Sequence, residues 1–450
     1  VPRTRGGEPP STTPPDGRAE DDDRAYGEAQ GEALYLSKLL GARVLGTSGH
    51  MEGRLVDIIA RLGGDSSPAW MPRVTGLVVS VEGEDKFAHA YQLSTLNHDG
   101  ATLKVDLASL GPFERRPGEV LLGRDLCFRH FIYLPKARLV RANDIVLAKV
   151  GTSWQVVGID VSSRPAVRRL LPRPLRVPVK RRKLVEWSEV EPFVSHVPTA
   201  RLRIPFRRLR RLHPAAIADL VEAASHQEGE EIIEAVSADP ALEADVFEEL
   251  DTEHQLEFLR GRSDEEAAHL LEAMAPDDAV DLLTELDQER RLPILEKMSQ
   301  PAQAKIRALL SYNPETAGGL MNPDFVSVPE TASVAQALEA VRSSKSPPEA
   351  SGVVFVTGEG GRLLGTALVV ELLRAPAEAT VADVMRPEPA SLEPDADIHE
   401  VVRKMSDYNL TVAPVVDAEG RMLGQITVDD VLEMLLPSGW RRQYGMAAPE

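Results

Sequence analysis

Three aspartates, Asp277, Asp278 and Asp281, crowd the stretch Ala275–Leu286, whose apolar residues follow a helical period. Asp277 and Asp281 are four apart, so both project from one helix face. Two carboxylates about 5 Å apart at an effective dielectric of about 20 repel by about 3 kcal/mol. A hard cation with oxygen ligands relieves that repulsion. Magnesium keeps most of its waters, so one or two carboxylates per ion suffice. A plainer reading also fits. Pro276 opens a helix, and acids in a first turn are favoured by the helix dipole alone.

Other chemical groups are sparse. The ten histidines are scattered, with no His-x-x-x-His pair and no Gly-x-Ser-x-Gly. Glu266 and His269 have a ligand-like spacing, but Ser263 to Glu266 already reads as a capping box. His213 and His254 read as surface or capping residues. Catalysis is not expected, and the chain is not read as an enzyme. The single cysteine, Cys127, excludes a disulfide framework and a cysteine-based zinc site, and suits a reducing compartment. It reads as a small buried apolar residue.

The elements that must position these acids come from the rest of the chain. Its 450 residues allow about three domains. Apolar residues make up 43% and aromatics only 5%, so the cores are Leu, Val, Ile and Ala. The net charge of -19 argues against DNA as a partner. No apolar run approaches a membrane span, and Val1 to Asp23 lacks the apolar core of a signal peptide, so a cytoplasmic chain with a disordered tail is expected.

Between Leu34 and Val197 short alternating runs such as Thr75–Val81, Ala101–Leu107 and Trp154–Val161 predict strands. A repeat offset by 87 residues pairs Leu39 with Leu126, Arg54 with Arg141, Asp57 with Asp144 and Ile58 with Ile145. It predicts two small β-barrels. A basic stretch follows, with Arg168-Arg169, Lys180–Lys183 and Arg201–Leu212. It could meet an anionic membrane surface, RNA, or this chain's own acidic helices.

From His213 to Tyr312 a 12-residue register places Leu250-Asp251, Arg262-Ser263, Met274-Ala275, Leu286-Asp287 and Met298-Ser299 in phase. Helices this short must stack, which predicts a small α-solenoid. A second duplication, offset by 64, matches Met321-Asn322-Pro323 with Met385-Arg386-Pro387, and Ser327 with Ser391.

Three resemblances follow from these strings. The β-rich repeat resembles the PRC-barrel family twice over, a family of interaction modules. The Met-x-Pro strings and Leu423–Leu435 resemble CBS domains, and the duplication gives the usual pair. That family's signature is met in the second copy by Gly424, Thr427 and Asp430, where the resemblance implies contacts to the phosphate or ribose of an adenine nucleotide such as ATP. The first copy has Gly365, Leu368 and Glu371 at those places, losing the hydroxyl. Capping of the following helix explains Thr427 and Asp430 equally well.

The string Ser311–Val326, through Ala317-Gly318-Gly319-Leu320-Met321, resembles the junction of MgtE magnesium channels. There a helical domain leads into a CBS pair, and the likeness covers about Leu212 to Leu436. It implies magnesium sensing, in which acids of the helical domain face acids of the CBS pair and a divalent cation closes them together. The residues that fit are Asp277, Asp278 and Asp281 with Asp429, Asp430 and Glu433. Gly318-Gly319 is expected to act as a hinge. The family's pore is not expected here, since Pro437–Arg442 reads as a short basic and aromatic tail.

The expected fold is multidomain: a PRC-like β-barrel pair, an MgtE-like α-solenoid and an α+β tandem CBS pair. The expected boundaries are a tail at 1–30, barrels at 31–112 and 118–197, and a basic linker at 198–212. The solenoid follows at 213–317, the CBS copies at 318–376 and 377–437, and a tail at 438–450. The expected function is magnesium-responsive regulation, with a homodimer through the CBS pair and a membrane transporter or other protein as partner. Two alternatives are a soluble subunit of a magnesium transporter whose pore is a separate chain, and a structural or RNA-associated adaptor using the barrels and basic linker.

Overall fold

The computed structural model describes residues 33–47, 52–62, 71–162, 183–194, 196–197, 208–344, 346 and 350–436. The expected tails at 1–30 and 438–450, Arg168-Arg169, most of Lys180–Lys183 and residues 198–207 of the linker lie outside the described residues. The chain forms two compact units, Val1–Leu209 and Arg210–Glu450.

In the first unit, alternation of β-branched residues yields antiparallel strands. The first half holds β1 (Leu34–Tyr35), a helical turn α1 (Leu36–Leu39), β2 (Arg43–Leu45), β3 (Glu52–Arg61), β4 (Arg73–Val81), β5 (Glu84–His89), β6 (Leu93–Asn97), β7 (Gly100–Leu103) and β8 (Gly111–Pro112). The second holds β9 (Glu119–Leu121), β10 (His130–Tyr133), β11 (Arg138–Arg141), β12 (Asp144–Val150), β13 (Ser153–Asp160), β14 (Leu184–Glu186) and β15 (Val190–Pro192). Strands β2 to β5 form a meander, and β7 joins β2 in parallel. Strand β13 lies between β12 and β14 and also touches β4, giving one nearly closed, barrel-like sheet.

The 87-residue repeat is physical, and its two copies are interlocked. Strand β1 of the first copy pairs with β12 of the second, while β9 of the second pairs with β3 of the first. The two matched aspartates fasten this exchange. Asp57 accepts the N–H groups of Gly123 and Arg124 at 2.7 and 3.0 Å, while Asp144 accepts the N–H of Ser37 at 2.9 Å and also its hydroxyl. Each aspartate also accepts the next residue's N–H, from Ile58 and Ile145. The matched arginines behave alike, Arg54 donating to the carbonyl of Gly41 and Arg141 to that of Phe128. Gly41 and Phe128 both take positive φ, +79° and +66°. One apolar core runs from Leu34 to Val197 through both halves and includes Cys127.

Burial raises the Asp57 carboxyl above its usual range, against the pull of its three backbone N–H donors. Arg208, the first described residue of the linker, lies on the buried Glu191 of β15 at 3.1 Å and donates to the carbonyl of Val190.

The second unit begins with eight short helices: α2 (Pro214–Ala223), α3 (His226–Val236), α4 (Pro240–Glu248), α5 (Thr252–Arg260), α6 (Asp264–Ala273), α7 (Pro276–Glu285), α8 (Gln288–Lys297) and α9 (Gln300–Leu309). Each buries one apolar stripe, as the 12-residue register requires; in α7 this is Ala279, Val280, Leu282 and Leu283. Helices α2, α4, α6 and α8 stack as one layer, and α5, α7 and α9 as another. Glutamates near the ends of alternate helices staple the layers. Glu222 accepts the N–H of Asp251, Glu248 that of Ala275, and Glu272 that of Ser299. Each acceptor sits at the N-terminus of the helix three further on, where a carboxylate is favoured by the dipole.

The CBS pair follows a short helix, α10 (Ala317–Leu320). The first copy contains β16 (Ser327–Pro329), α11 (Val334–Ser343), β17 (Val353–Thr357), β18 (Leu363–Leu368) and α12 (Val369–Arg374). The second contains β19 (Arg386–Pro387), α13 (Ile398–Tyr408), β20 (Val412–Val416), β21 (Met422–Thr427) and α14 (Val428–Leu435).

Removing either fastening aspartate from the barrel unit should loosen the exchange. Asp57→Ala and Asp144→Ala are each expected to cost about 2 kcal/mol, as lost charge-assisted hydrogen bonds to buried carboxylates do. Denaturant unfolding checks this. Losses below about 0.5 kcal/mol, the range of ordinary surface changes, would show that the aspartates do not hold the exchange.

Candidate acidic site between the helical array and the CBS pair

Helix α7 delivers its acids by a simple local rule. Pro276 occupies the first turn, where its missing N–H costs nothing, and Asp277 and Asp278 follow in that same turn. Glu248 arrives at this N-terminus from α4 through its bond to the Ala275 N–H, at 2.6 Å. Three carboxylates thus converge on one helix end, whose dipole supplies only about half a positive charge.

The second CBS copy adds two more. Burial, then the charge of Asp430, then Glu248 and Asp281 push the Asp277 carboxyl up to about 8. Asp278 is raised well above the ordinary range by burial, Asp277, Glu248, Glu433 and Asp430. Both side chains keep some exposed surface, yet protein atoms surround them closely enough that desolvation leads. Asp277 Oδ1 accepts a hydrogen bond from Nδ2 of the buried Asn322, 3.1 Å away, which fastens the array to the CBS pair.

Asp277, Asp278, Asp430 and Glu433, four of the six residues expected at a metal site, are therefore brought together. Asp281 faces solvent one turn along α7. Its carboxyl is raised by desolvation and by Glu285, a shift that water screens. Asp429 is exposed and is not among the charges that act most on Asp277 or Asp278. Glu248 was not foreseen. Its signal was available: Glu222, Glu248 and Glu272 recur near the ends of alternate helices, a period that reads as solvated charge until the layers are seen.

Among the described residues, the trio that brings ligand atoms within 4.8 Å of one another is Glu222, Asp251 and His254. Glu222 there performs the same stapling as Glu248 and Glu272, and Asp251 accepts the His254 N–H at 2.9 Å as a helix cap. The acids around Asp277 do not form such a trio among the described residues.

The CBS signature residues occupy structural places. Thr427 caps α14 and forms a reciprocal box with Asp430, whose carboxylate accepts the Thr427 N–H at 2.7 Å. A Cβ on Gly424 would stand 2.8 Å from Cγ of Met321 and 2.9 Å from the carbonyl of Asn322, so close packing requires glycine there. Asp430 thus belongs to both the signature and the acidic cluster.

The junction glycines are closely packed in this arrangement. A Cβ on Gly318 would lie 2.6 Å from the Tyr312 ring, and one on Gly319 would lie 2.4 Å from the carbonyl of Asn313. Ala317 and Gly318 donate to the carbonyls of Ala396 and Pro394, both at 2.8 Å. The glycines permit tight docking, and Lys305 of α9 adds an ion pair to Asp324.

Comparison with known proteins agrees with this architecture. Residues 212–315 match the family model of the MgtE intracellular N domain, and residues 317–378 and 381–437 match the CBS domain. The magnesium transporter MgtE of Thermus thermophilus is 34% identical over 233 residues, covering 50% of this chain and 51% of that protein. The magnesium transporter MgtE of Bacillus subtilis is 27% identical over 192 residues, 43% of each chain. The chain spans about half the length, or less, of the curated relatives it matches. A crystal structure of the cytosolic domain of the Mg2+ channel MgtE in complex with ATP aligns at 30% identity and TM-score 0.47, over 51% of this chain and 92% of that one. The soluble part of a magnesium transporter aligns at 25% identity and TM-score 0.47, over 51% and 90%. Among the described residues no helix is long and apolar enough to cross a membrane. Residues 212–315 thus match the MgtE intracellular N domain and residues 317–378 and 381–437 the CBS domain, an acidic helical array joined to a CBS pair.

Proposed function

We propose that this chain is a magnesium-responsive regulatory protein whose helical array and CBS pair close on one another when divalent cation occupies the acids between them. The observation that carries this reading is the convergence of Asp277, Asp278 and Glu248 from the array with Asp430 and Glu433 from the CBS pair. Metal-free, these carboxylates repel, which raises the Asp277 and Asp278 carboxyls. A hydrated divalent cation supplies the missing charge without displacing the structural bonds of Glu248 and Asp430. The likeness to magnesium transporters over 233 residues points to the same ion. The output would pass to a membrane transporter or another protein partner, from a cytoplasmic position. No catalytic group enters this mechanism.

Adenine nucleotide is the second ligand in this reading, at Gly424, Thr427 and Asp430. Since Asp430 serves both sites, nucleotide and cation should influence each other's binding.

The CBS pair also offers a surface to a second copy. Val370 and Leu373 on α12, and Val428, Leu432 and Leu435 on α14, stand exposed at helical spacing. These are the corresponding helices of the two copies, and a homodimer would cover them. Sedimentation of Leu373→Glu with Leu432→Glu is expected to shift a dimer to monomer, whereas an unchanged mass would exclude this surface.

Small-angle scattering should show compaction of the purified chain as magnesium rises to about ten millimolar, with heat in calorimetry; weak, water-mediated sites fall in that range. Asp277→Asn with Asp278→Asn should abolish both. ATP added in the same calorimeter should bind and change the magnesium midpoint. Neither compaction nor heat with magnesium would refute the sensor reading.

The pH dependence has a definite sign. A carboxyl raised from its usual value to about 8 stabilises the closed, metal-free arrangement fully only below about pH 4, and that contribution is lost as pH rises through about 8. The metal-free radius of gyration should therefore grow between about pH 5 and pH 8.5 and return with magnesium. A radius independent of pH would contradict the assigned burial of Asp277.

A further inference from the structure

The two CBS copies treat the acid of their last helix differently. Glu371 of the first copy stands six residues after Gly365, as Asp430 stands six after Gly424. Glu371 receives an ion pair from Arg386 at 2.6 Å. The residue matching Arg386 is Asn322, and the match is geometric as well as sequential. Arg386 pairs across to Thr366 of β18, and Asn322 across to Gln425 of β21, in each case one residue beyond the glycine. A Cβ on Gly365 would meet Met385 Sδ at 2.7 Å and the Arg386 carbonyl at 2.8 Å, while one on Gly424 would meet Met321 Sδ and the Asn322 carbonyl, both at 2.9 Å. The glycine and acid of the first copy thus face a guanidinium that the second copy supplies. The glycine of the second copy faces a neutral amide that the first copy supplies, and that amide bonds to Asp277 of the array.

We propose that Asn322 is the residue that makes the contact between array and CBS pair responsive to divalent cation, by placing a neutral amide where the matching position, Arg386, sets a cation against the first copy's acid. The proposal rests on the magnesium reading above. Asn322 can orient Asp277 through one hydrogen bond but brings no charge to it. The charges acting most on Asp277 are those of Asp430, Glu248 and Asp281, all negative. An arginine at 322 would supply at this spot what the ion supplies in solution. Arg386 stands at the corresponding place beside the first copy, so Glu371 meets a fixed cation.

The test uses the full chain, with Asn322→Arg, Asn322→Lys and the isosteric Asn322→Asp, each checked for native circular dichroism. In metal-free buffer near pH 8, N322R or N322K should be as compact by small-angle scattering as the wild type with magnesium. Its calorimetric magnesium affinity should fall by about tenfold, as expected for removal of one charge's worth of attraction. N322D should be at least as expanded as the wild type and should still compact with magnesium. If N322R does not fold, N322K and N322D carry the comparison. A folded N322R or N322K that stays expanded without metal, and takes up magnesium like a responding wild type, overturns this proposal alone. A wild type that ignores magnesium overturns the sensor reading beneath it as well.

Discussion

The second unit depends on a surplus of negative charge at one helix N-terminus. Helix α7 can accept one carboxylate gracefully, and Glu248 already occupies that role as the staple between layers. Asp277 and Asp278 add two more, and the CBS pair presses Asp430 and Glu433 toward them. Nothing in the stacking of the array requires this excess, since Glu222 and Glu272 complete the same staple at other helix ends. The array therefore holds together by apolar stripes and staples, while its contact with the CBS pair is electrostatically costly. Such a division suits a contact that must open and close without unfolding either side.

The docking that opposes this repulsion is specific. Asn322 bonds to Asp277, Lys305 pairs with Asp324, and the glycines of the junction let α10 sit against Tyr312 and the Pro394–Ala396 backbone. These contacts define the docked geometry, within which the acids of α7 and α14 lie close to one another. Asp430 connects that balance to the CBS cleft, because its carboxylate also closes the capping box with Thr427.

Much of this was legible in the sequence. The 12-residue register gave the helix starts at Asp264, Pro276, Gln288 and Gln300, because short helices that must stack show their buried stripe and their caps together. The 87-residue repeat marked Asp57 and Asp144 as equivalent. It could not show that each serves the other copy, since sequence records which residues recur and not which copy they bind. The close packing of Gly318 and Gly319 was hidden for a similar reason. A glycine demanded by close approach and a glycine chosen for freedom look alike until the neighbouring Tyr312 ring and Asn313 carbonyl are placed. Glu248 was missed because a recurring surface glutamate is the commonest feature of any solvated helix. Among the acids carried over from the family likeness, Asp277, Asp278, Asp430 and Glu433 meet, whereas Asp429 points to water and Asp281 lies at the margin.

Distance measurement between the two parts tests the central claim most directly. Spin labels at the exposed positions Glu289 of the array and Glu419 of the second CBS copy, with Cys127 buried and unlabelled, report their separation by pulsed dipolar spectroscopy. Repulsion among the acids predicts a long, broad distribution in metal-free buffer near pH 8. With magnesium it should become short and narrow, and in Asp277→Asn with Asp278→Asn it should be short without magnesium. One unchanged distance across all three samples would contradict it.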